Sequence, residues 1–267
     1  VEGMQFDRGY TSAYFCTNAD AMTVEMHNAK ILLTDKKISS VQEILPILQE
    51  VATTAQELLI IADDIEGDAL STLVVNKLRG TLKVCSVKAP GFGDSRKAML
   101  EDLAILTGGT VVSEEAGMVL RECIAEVLGE AEKIVITKEK TTVINGKGDV
   151  DKIKSRIKQL DSAIKKATGS YDQEKLEERK AKLSGGVAVI RVGAPTEPEM
   201  KQKKQAFEDS LNSTKAALEE GIVQGGGIAL LRASKTVERL KLQGDEFTGS
   251  QILLKACEVP FRQIVAS

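Results

Sequence analysis

Leu58-Leu59-Ile60-Ile61-Ala62 is an unbroken apolar run, the mark of a strand buried on both faces. Asp63, Asp64 and Glu66 follow it and place negative charge at a helix N-terminus, where the dipole favours it. That helix runs to Arg79, carries Lys77 and Arg79 in its last turn and stops at Gly80. Leu82-Lys83-Val84-Cys85-Ser86-Val87 reads as the next strand. A loop (Lys88-Ala89-Pro90-Gly91-Phe92-Gly93-Asp94), a helix to about Leu106, Gly108-Gly109 and a strand Thr110-Val111-Val112 complete the pattern. Strand, helix, strand, helix, strand predicts a parallel or mixed sheet.

Upstream, Lys30-Ile31-Leu32-Leu33-Thr34 reads as a short strand. Ser40-Val41-Gln42-Glu43 is a capping box opening a helix with Val41, Ile44, Leu45, Leu48, Val51 and Ala52 at helical spacing. Pro46 lies inside that pattern and predicts a kink or a delayed start. Downstream, Lys133–Thr137 and Thr142–Ile144 look like paired strands. From Asp149 to Leu183 the chain is charged and helical, with Ile153, Ile157, Leu160 and Ile164 forming one stripe. The break at Gly169-Ser170 predicts two antiparallel helices. Val187-Ala188-Val189-Ile190-Arg191-Val192 reads as another buried strand. Thr196-Glu197-Pro198-Glu199 is a capping box with Pro in the first turn, starting a long helix that ends near Gly221. Gly225-Gly226-Gly227 precedes a further helix, and a last one begins near Ser250 and carries Pro260. The predicted class is α/β: a β/α core with flanking helices, followed by an all-helical segment.

The composition narrows the chemistry. The chain has 267 residues, 42% hydrophobic and 28% charged, which is ordinary for a globular protein. Aromatics are 3% and Trp is absent, so the core must be aliphatic. Thirty-six basic against 39 acidic residues, a net charge of −3, argues against an electrostatic nucleic-acid binder. His27 is the sole histidine, which leaves little scope for a metal site or a Ser-His-Asp triad. Cys16, Cys85, Cys123 and Cys257 show no zinc-knuckle spacing and point to a reducing compartment. No apolar run reaches the ~18–20 residues of a membrane span. The start at Val1 without Met or a leader, and the stop at Ser267 inside an apolar-periodic stretch, read as a piece of something longer.

Several residues stand out as candidate sites. Gly91-Phe92-Gly93 follows a strand and precedes a helix, but Arg96 replaces the third glycine of a dinucleotide fingerprint, so a tight turn is the simpler reading. On a helical wheel Val41, Ile44, Leu45, Ile47, Leu48, Val51 and Ala52 sweep roughly 160°, and Ala69, Leu70, Leu73, Val74, Val75 and Leu78 roughly 240°, against about 100° needed to lie on a sheet. Either a third layer covers the surplus, or it forms an exposed apolar groove of the kind that marks a binding surface. Tyr10, Tyr14 and Phe15 cluster three of nine Phe and Tyr residues, as a satellite cluster or as a ligand anchor. The 225–227 triplet offers backbone N–H groups to a phosphate but lacks a P-loop Lys, and close helix packing explains it as well. Asp209, beside Glu208, is by itself a solvated carboxylate.

Four runs in order carry a resemblance: Val1-Glu2-Gly3-Met4-Gln5-Phe6-Asp7-Arg8-Gly9-Tyr10, Val87-Lys88-Ala89-Pro90-Gly91-Phe92-Gly93-Asp94, Lys182-Leu183-Ser184-Gly185-Gly186-Val187-Ala188-Val189-Ile190 and Glu219-Glu220-Gly221-Ile222-Val223-Gln224-Gly225-Gly226-Gly227. The chain closely resembles a group I chaperonin subunit of the GroEL type along its whole length. The resemblance implies an apical, polypeptide-binding domain at 1–187, the returning half of the intermediate domain at 188–219 and part of the equatorial domain at 220–267. It implies a stress-response folding chaperone driven by ATP and Mg, assembled as a heptameric-type ring, with non-native polypeptides and a GroES-type co-chaperonin as partners and neither nucleic acid nor membrane. Tyr10, Tyr14, Phe15, Leu45, Leu48, Leu70, Val74 and Val75 match its apolar groove. Asp209 matches the catalytic Asp that helps water attack ATP, Gly225 and Gly226 match nucleotide contacts, and Gly3, Gly185 and Gly186 match a hinge. Arg8 and Glu197 match an ion pair between subunits.

The phosphate-binding loop and magnesium-binding Asp of that family have no counterpart in these 267 residues, so the resemblance implies no ATPase activity and no cofactor for the piece alone. It places the protein in a bacterial cytoplasm, or in an organelle matrix or stroma. Thr11-Ser12-Ala13 departs from the family pattern, which has a Pro before the second Tyr, and loss of that φ restraint loosens the segment. A diverged paralogue acting only as a binding or adhesive module is the alternative. A nucleotide-binding α/β enzyme is a third reading, opposed by the incomplete glycine motif and the lack of a clustered acid–base set.

Overall fold

The computed structural model describes residues 2–123, 125–188 and 190–266. The chain divides into two compact units, residues 1–189 and 190–267. The first unit is α/β and the second is helical.

In the first unit the strands are β1 (Gly3–Phe6), β2 (Val24–Thr34), β3 (Lys37–Ile38), β4 (Glu57–Ala62), β5 (Asp64–Ile65), β6 (Lys83–Lys88), β7 (Val111–Val112), β8 (Gly129–Ile136) and β9 (Thr141–Gly146). The helices are α1 (Leu45–Thr54), α2 (Gly67–Leu78), α3 (Gly93–Thr107), α4 (Val150–Lys166) and α5 (Ser170–Ser184). Among the described residues, seven strands form one sheet in the order β1-β9-β8-β2-β4-β6, with β7 added to β2. β2, β4 and β6 are parallel neighbours, as the βαβ pattern requires. Leu33 pairs with Ile61 of β4 and with Val111 of β7, while Lys30 pairs with Leu58 of β4 and Glu130 of β8. β7 and β8 therefore share the edge of β2 opposite β4. β8, β9 and β1 complete the sheet in antiparallel fashion, so the sheet is mixed.

Leu58 to Ala62 are fully buried, as their unbroken apolarity requires. Each such Leu or Ile contributes about 1.5–3 kcal/mol relative to exposure. The core is aliphatic: among the described residues only Phe6 and Phe15 contribute buried aromatic rings. The Ser40–Glu43 box forms with both reciprocal hydrogen bonds, but it caps a 3-10 turn at Val41–Glu43. α1 begins only at Leu45, with Pro46 in its first turn, so the proline delays the helix rather than kinking it. α4 and α5 pack on each other, and α4 packs on α3. Asp102 of α3, buried, accepts hydrogen bonds from Arg156 Nε of α4 at 2.8 Å and from Arg179 Nε of α5 at 2.8 Å, which ties the three helices together.

The structure also departs from expectation in the segments around these elements. None of the described residues of 187–192 forms a strand, and Ile190 is 63% exposed, while Val189 lies outside the described residues. Apolar continuity cannot show whether a sheet edge is there to accept the backbone. Of Asp63, Asp64 and Glu66, Glu66 stands at the N-terminus of α2 as its N-cap residue, without a side-chain cap bond; the three pair with Arg96, Lys88 and Lys37, respectively, and Asp68 supplies the first-turn acid. Thr196 makes no side-chain cap on the following helix. Pro198 in its first turn has removed one of the N–H donors such a cap would bind.

The second unit holds α6 (Glu197–Glu220), α7 (Ile228–Glu238) and α8 (Gly244–Ala266). α8 begins six residues before the expected Ser250 and contains Pro260. α7 and α8 pack together, and Gly227 allows the contact: a Cβ there would lie 2.7 Å from the backbone nitrogen of Phe261. No described helix is long and apolar enough to cross a membrane.

Candidate functional site

The aromatic segment is pinned at both ends. Tyr10 forms a bridge to Val87 on β6, and Thr11 donates its N–H to Ser86 O at 2.9 Å, with the two hydroxyls 2.5 Å apart. A 3-10 turn follows at Ala13–Phe15, capped by Ser12 Oγ accepting from the Tyr14 N–H at 3.3 Å. Lys77 Nζ of α2 donates to Tyr14 O at 2.8 Å and Cys16 O at 2.9 Å. Where the resemblance led to a looser segment, these bonds supply restraints in place of the missing proline. Burial raises the Tyr10 phenol above its ordinary range, and the neighbouring Cys16 and Cys85 thiols act in the same direction. Its hydroxyl makes no well-formed hydrogen bond among the described residues, with only the weakly bonding Cys16 thiol beside it.

α2 sorts its apolar residues by face. Ala69 and Leu73 are fully buried and seat the helix on the core. Leu70 and Val74 are half-buried, Val75 is 42% exposed and Leu78 61%. Leu70, Val74 and Leu78 recur every fourth position, so they form a strip along one side of the helix. The aromatic turn packs against α2, and so does the 3-10 turn leading into α1. Tyr14, 65% exposed, thus belongs to a turn held against the helix that carries the strip. Much of the apolar surplus of α2 lies on the surface rather than under a third layer. α1 contributes less: Ile47, Leu48 and Val51 are core residues and Leu45 is half-buried. Phe15, also matched to the groove, is fully buried. Leu78 sits on the strip although the resemblance did not single it out; its place on the helical wheel was the available signal.

An apolar helical strip and a pinned aromatic turn packed on that helix thus belong to an α/β unit that is followed in the chain by helices. A model of the TCP-1/cpn60 chaperonin family matches residues 1–267. The chain belongs to that family. It is 68% identical over 265 residues to Chaperonin GroEL 3 of Protochlamydia amoebophila (strain UWE25), a match covering 99% of this chain and 50% of the relative. The chaperonin chain thus spans about half the length of the curated relative it matches.

The remaining candidate residues of this chaperonin chain fall into separate places. Gly3, Gly185 and Gly186 line one cleft of about 480 Å³, with Leu106, Ile153, Ile157 and Leu183. Gly3 is required there, since a Cβ would lie 2.3 Å from Val143 O. Asp209 is exposed in α6. Gly225 and Gly226 are exposed ahead of α7, with open space where a Cβ would stand, and α7 has no side-chain cap. Uncapped N–H groups and open space fit the approach of a phosphate-bearing ligand. Among the described residues no three His, Cys, Asp or Glu side chains gather as a metal site. The Arg8 guanidinium lies over the Phe92 ring, with Cζ 5.1 Å from its centroid, and Glu197 pairs with Lys201 at 3.2 Å on the same helix.

Proposed function

We propose that the chain is the client-binding part of a ring-forming chaperonin that assists protein folding. In this reading residues 1–187 act as the apical domain, 188–219 as half of an intermediate domain and 220–267 as part of an equatorial domain. Non-native polypeptides and a GroES-type co-chaperonin compete for the α2 strip and its aromatic neighbour. The observation that carries the reading is the exposure of Val75 and Leu78 on α2, with half-buried Leu70 and Val74, together with exposed Tyr14 on the turn packed against that helix. Such a patch on a monomeric surface marks interaction, and non-directional apolar contact accepts many partners without reading their sequence.

In the full-length ring, bound ATP and Mg supply phosphoryl-transfer chemistry. Asp209 would orient the attacking water, and the N–H groups around Gly225 and Gly226 would hold phosphate oxygens. Gly3, Gly185 and Gly186 would form the hinge on which the apical domain swings, and Arg8 would pair with Glu197 of a neighbouring subunit.

The test is fluorescence anisotropy with a labelled co-chaperonin mobile-loop peptide against this chain and its Leu45→Ser/Val74→Ser variant. Both positions are half-buried, so the change strikes the surface and spares fully buried Phe15. Micromolar binding, about 8 kcal/mol, that disappears in the variant is the expected result. Equal binding by both proteins moves the site elsewhere, and no binding by either favours a buried stripe or a diverged paralogue.

A further inference from the structure

The Gly91-Phe92-Gly93 loop plays no part in that reading, yet its geometry is specific. Gly91 and Gly93 have φ of +76° and +52°, a region that favours glycine. Between them Phe92 is extended, at φ −142° and ψ 151°, and its ring is 73% exposed. Two guanidinium groups flank the ring: Arg8 Cζ lies 5.1 Å from its centroid and Arg96 Cζ 5.8 Å, both within cation–π range.

The two arginines differ in what else they hold. Arg96 is ion-paired with Asp63 and donates Nε to Gly91 O at 3.3 Å, so its charge is matched locally. Arg8 is half-buried, and its backbone is fixed: its N–H donates to Phe6 O at 3.0 Å, and Thr141 Oγ1 donates to its carbonyl at 2.7 Å. Among the described residues its guanidinium has no carboxylate partner, and it lies over the Phe92 ring. A cation–π contact uses none of the N–H donors of a guanidinium, which remain available to a carboxylate.

We propose that Phe92 is a positioning residue that pre-sets Arg8 to receive Glu197 of a second copy of this chain. The inference rests on the proposed Arg8–Glu197 pairing between subunits and adds the element that orients it. A long side chain held in one rotamer loses less freedom when its partner arrives. Glu197 is suited to the exchange: its own partner Lys201 is four residues along the same helix, and both side chains are well exposed, so that pairing is weak.

Two measurements test this. In the 267-residue chain, the Arg8 side-chain NMR resonances should carry a ring-current shift that survives Phe92→Tyr and is lost in Phe92→Leu. An Arg8 spectrum unchanged in Phe92→Leu overturns the contact. In the full-length ring, the cooperativity of ATP hydrolysis reads the coupling between subunits. Phe92→Leu should reproduce at least half the loss seen in Arg8→Ala, Phe92→Tyr should retain the wild-type value, and the Arg8→Ala/Phe92→Leu double variant should match Arg8→Ala alone. A Phe92→Leu effect that adds to that of Arg8→Ala overturns the positioning role while leaving the ion pair intact. Wild-type cooperativity in Arg8→Ala overturns the pairing and the positioning role with it.

Discussion

The ammonium of Lys77, in the last turn of α2, donates to the carbonyl of Tyr14 at 2.8 Å and so ties the exposed aromatic ring to the helix that carries the apolar strip. A second bond, to Cys16 O at 2.9 Å, closes the clamp. Lys77→Met keeps the helix and most of the apolar stem but frees the turn. Peptide affinity should fall by about 1–2 kcal/mol, the scale of a partly exposed charged hydrogen bond. Faster amide exchange at residues 13–16, with the rest of the sheet unchanged, should accompany the loss. Unchanged affinity with a loosened turn would show that Tyr14 is not part of the docking surface.

Asp102 is the anchor of the helical pair α4 and α5. Asp102→Ala would leave Arg156 and Arg179 facing each other without the carboxylate they share. Both arginines retain some solvent contact, so the cost should be about 3 kcal/mol, at the low end for breaking a buried pair. Urea denaturation should show the loss, and peptide binding at the α2 strip should persist in the folded fraction. Arg156 also pairs with Glu101 at 2.8 Å, so Arg156→Ala should cost less than Asp102→Ala.

These two contacts also mark the limit of what the sequence makes legible. The βαβαβ core follows from apolar runs and helix punctuation, which are local signals, and the structure matches it strand by strand. The Lys77 clamp and the Asp102 triad join residues 63 and 77 positions apart, and nothing in a run of Asp or Lys says which partner it will meet. The same holds for Asp63 and Asp64, whose position before a helix suggested a dipole interaction while distant cations claimed them. The strip on α2 was visible as surplus on a wheel. Periodicity could not separate core residues such as Phe15 and Leu48 from surface ones such as Leu78, because burial depends on which elements pack on top.

Tyr10→Phe isolates a single buried hydroxyl. The Tyr10 phenol oxygen is buried and makes no well-formed hydrogen bond among the described residues, with only the weakly bonding Cys16 thiol beside it, so the native fold bears most of its desolvation cost. Removing it should leave stability unchanged or raise it by up to about 1 kcal/mol. A thermal melt reads this directly. A clear loss of stability would mean that the hydroxyl has a bonding partner in solution. If the ring serves docking through apolar contact, peptide affinity should be unaffected.

The acid limb of stability should trace to a few carboxylates held below their ordinary range. Glu178 lies between Lys182 at 2.8 Å and Lys175 at 3.0 Å, and these two hydrogen bonds lower it. Asp149 caps α4, and the N–H groups of Lys152 and Asp151 lower it. For Asp64, burial works upward, but the Lys88 ammonium and the Ile65 N–H outweigh it and the net shift is downward. A carboxyl whose folded pKa is depressed binds fewer protons folded than unfolded. Its contribution is complete above the unfolded value of about 4 and disappears as pH falls through the lower folded value. Stability should therefore be level from neutral pH to about pH 5 and decline below about pH 4. The Asp149→Asn/Glu178→Gln variant keeps a capping oxygen and a polar side chain but removes two of the titrating groups. It should be less stable at neutral pH and show a shallower decline between about pH 4 and pH 2. A decline as steep as in the parent chain would assign the acid limb to other carboxylates.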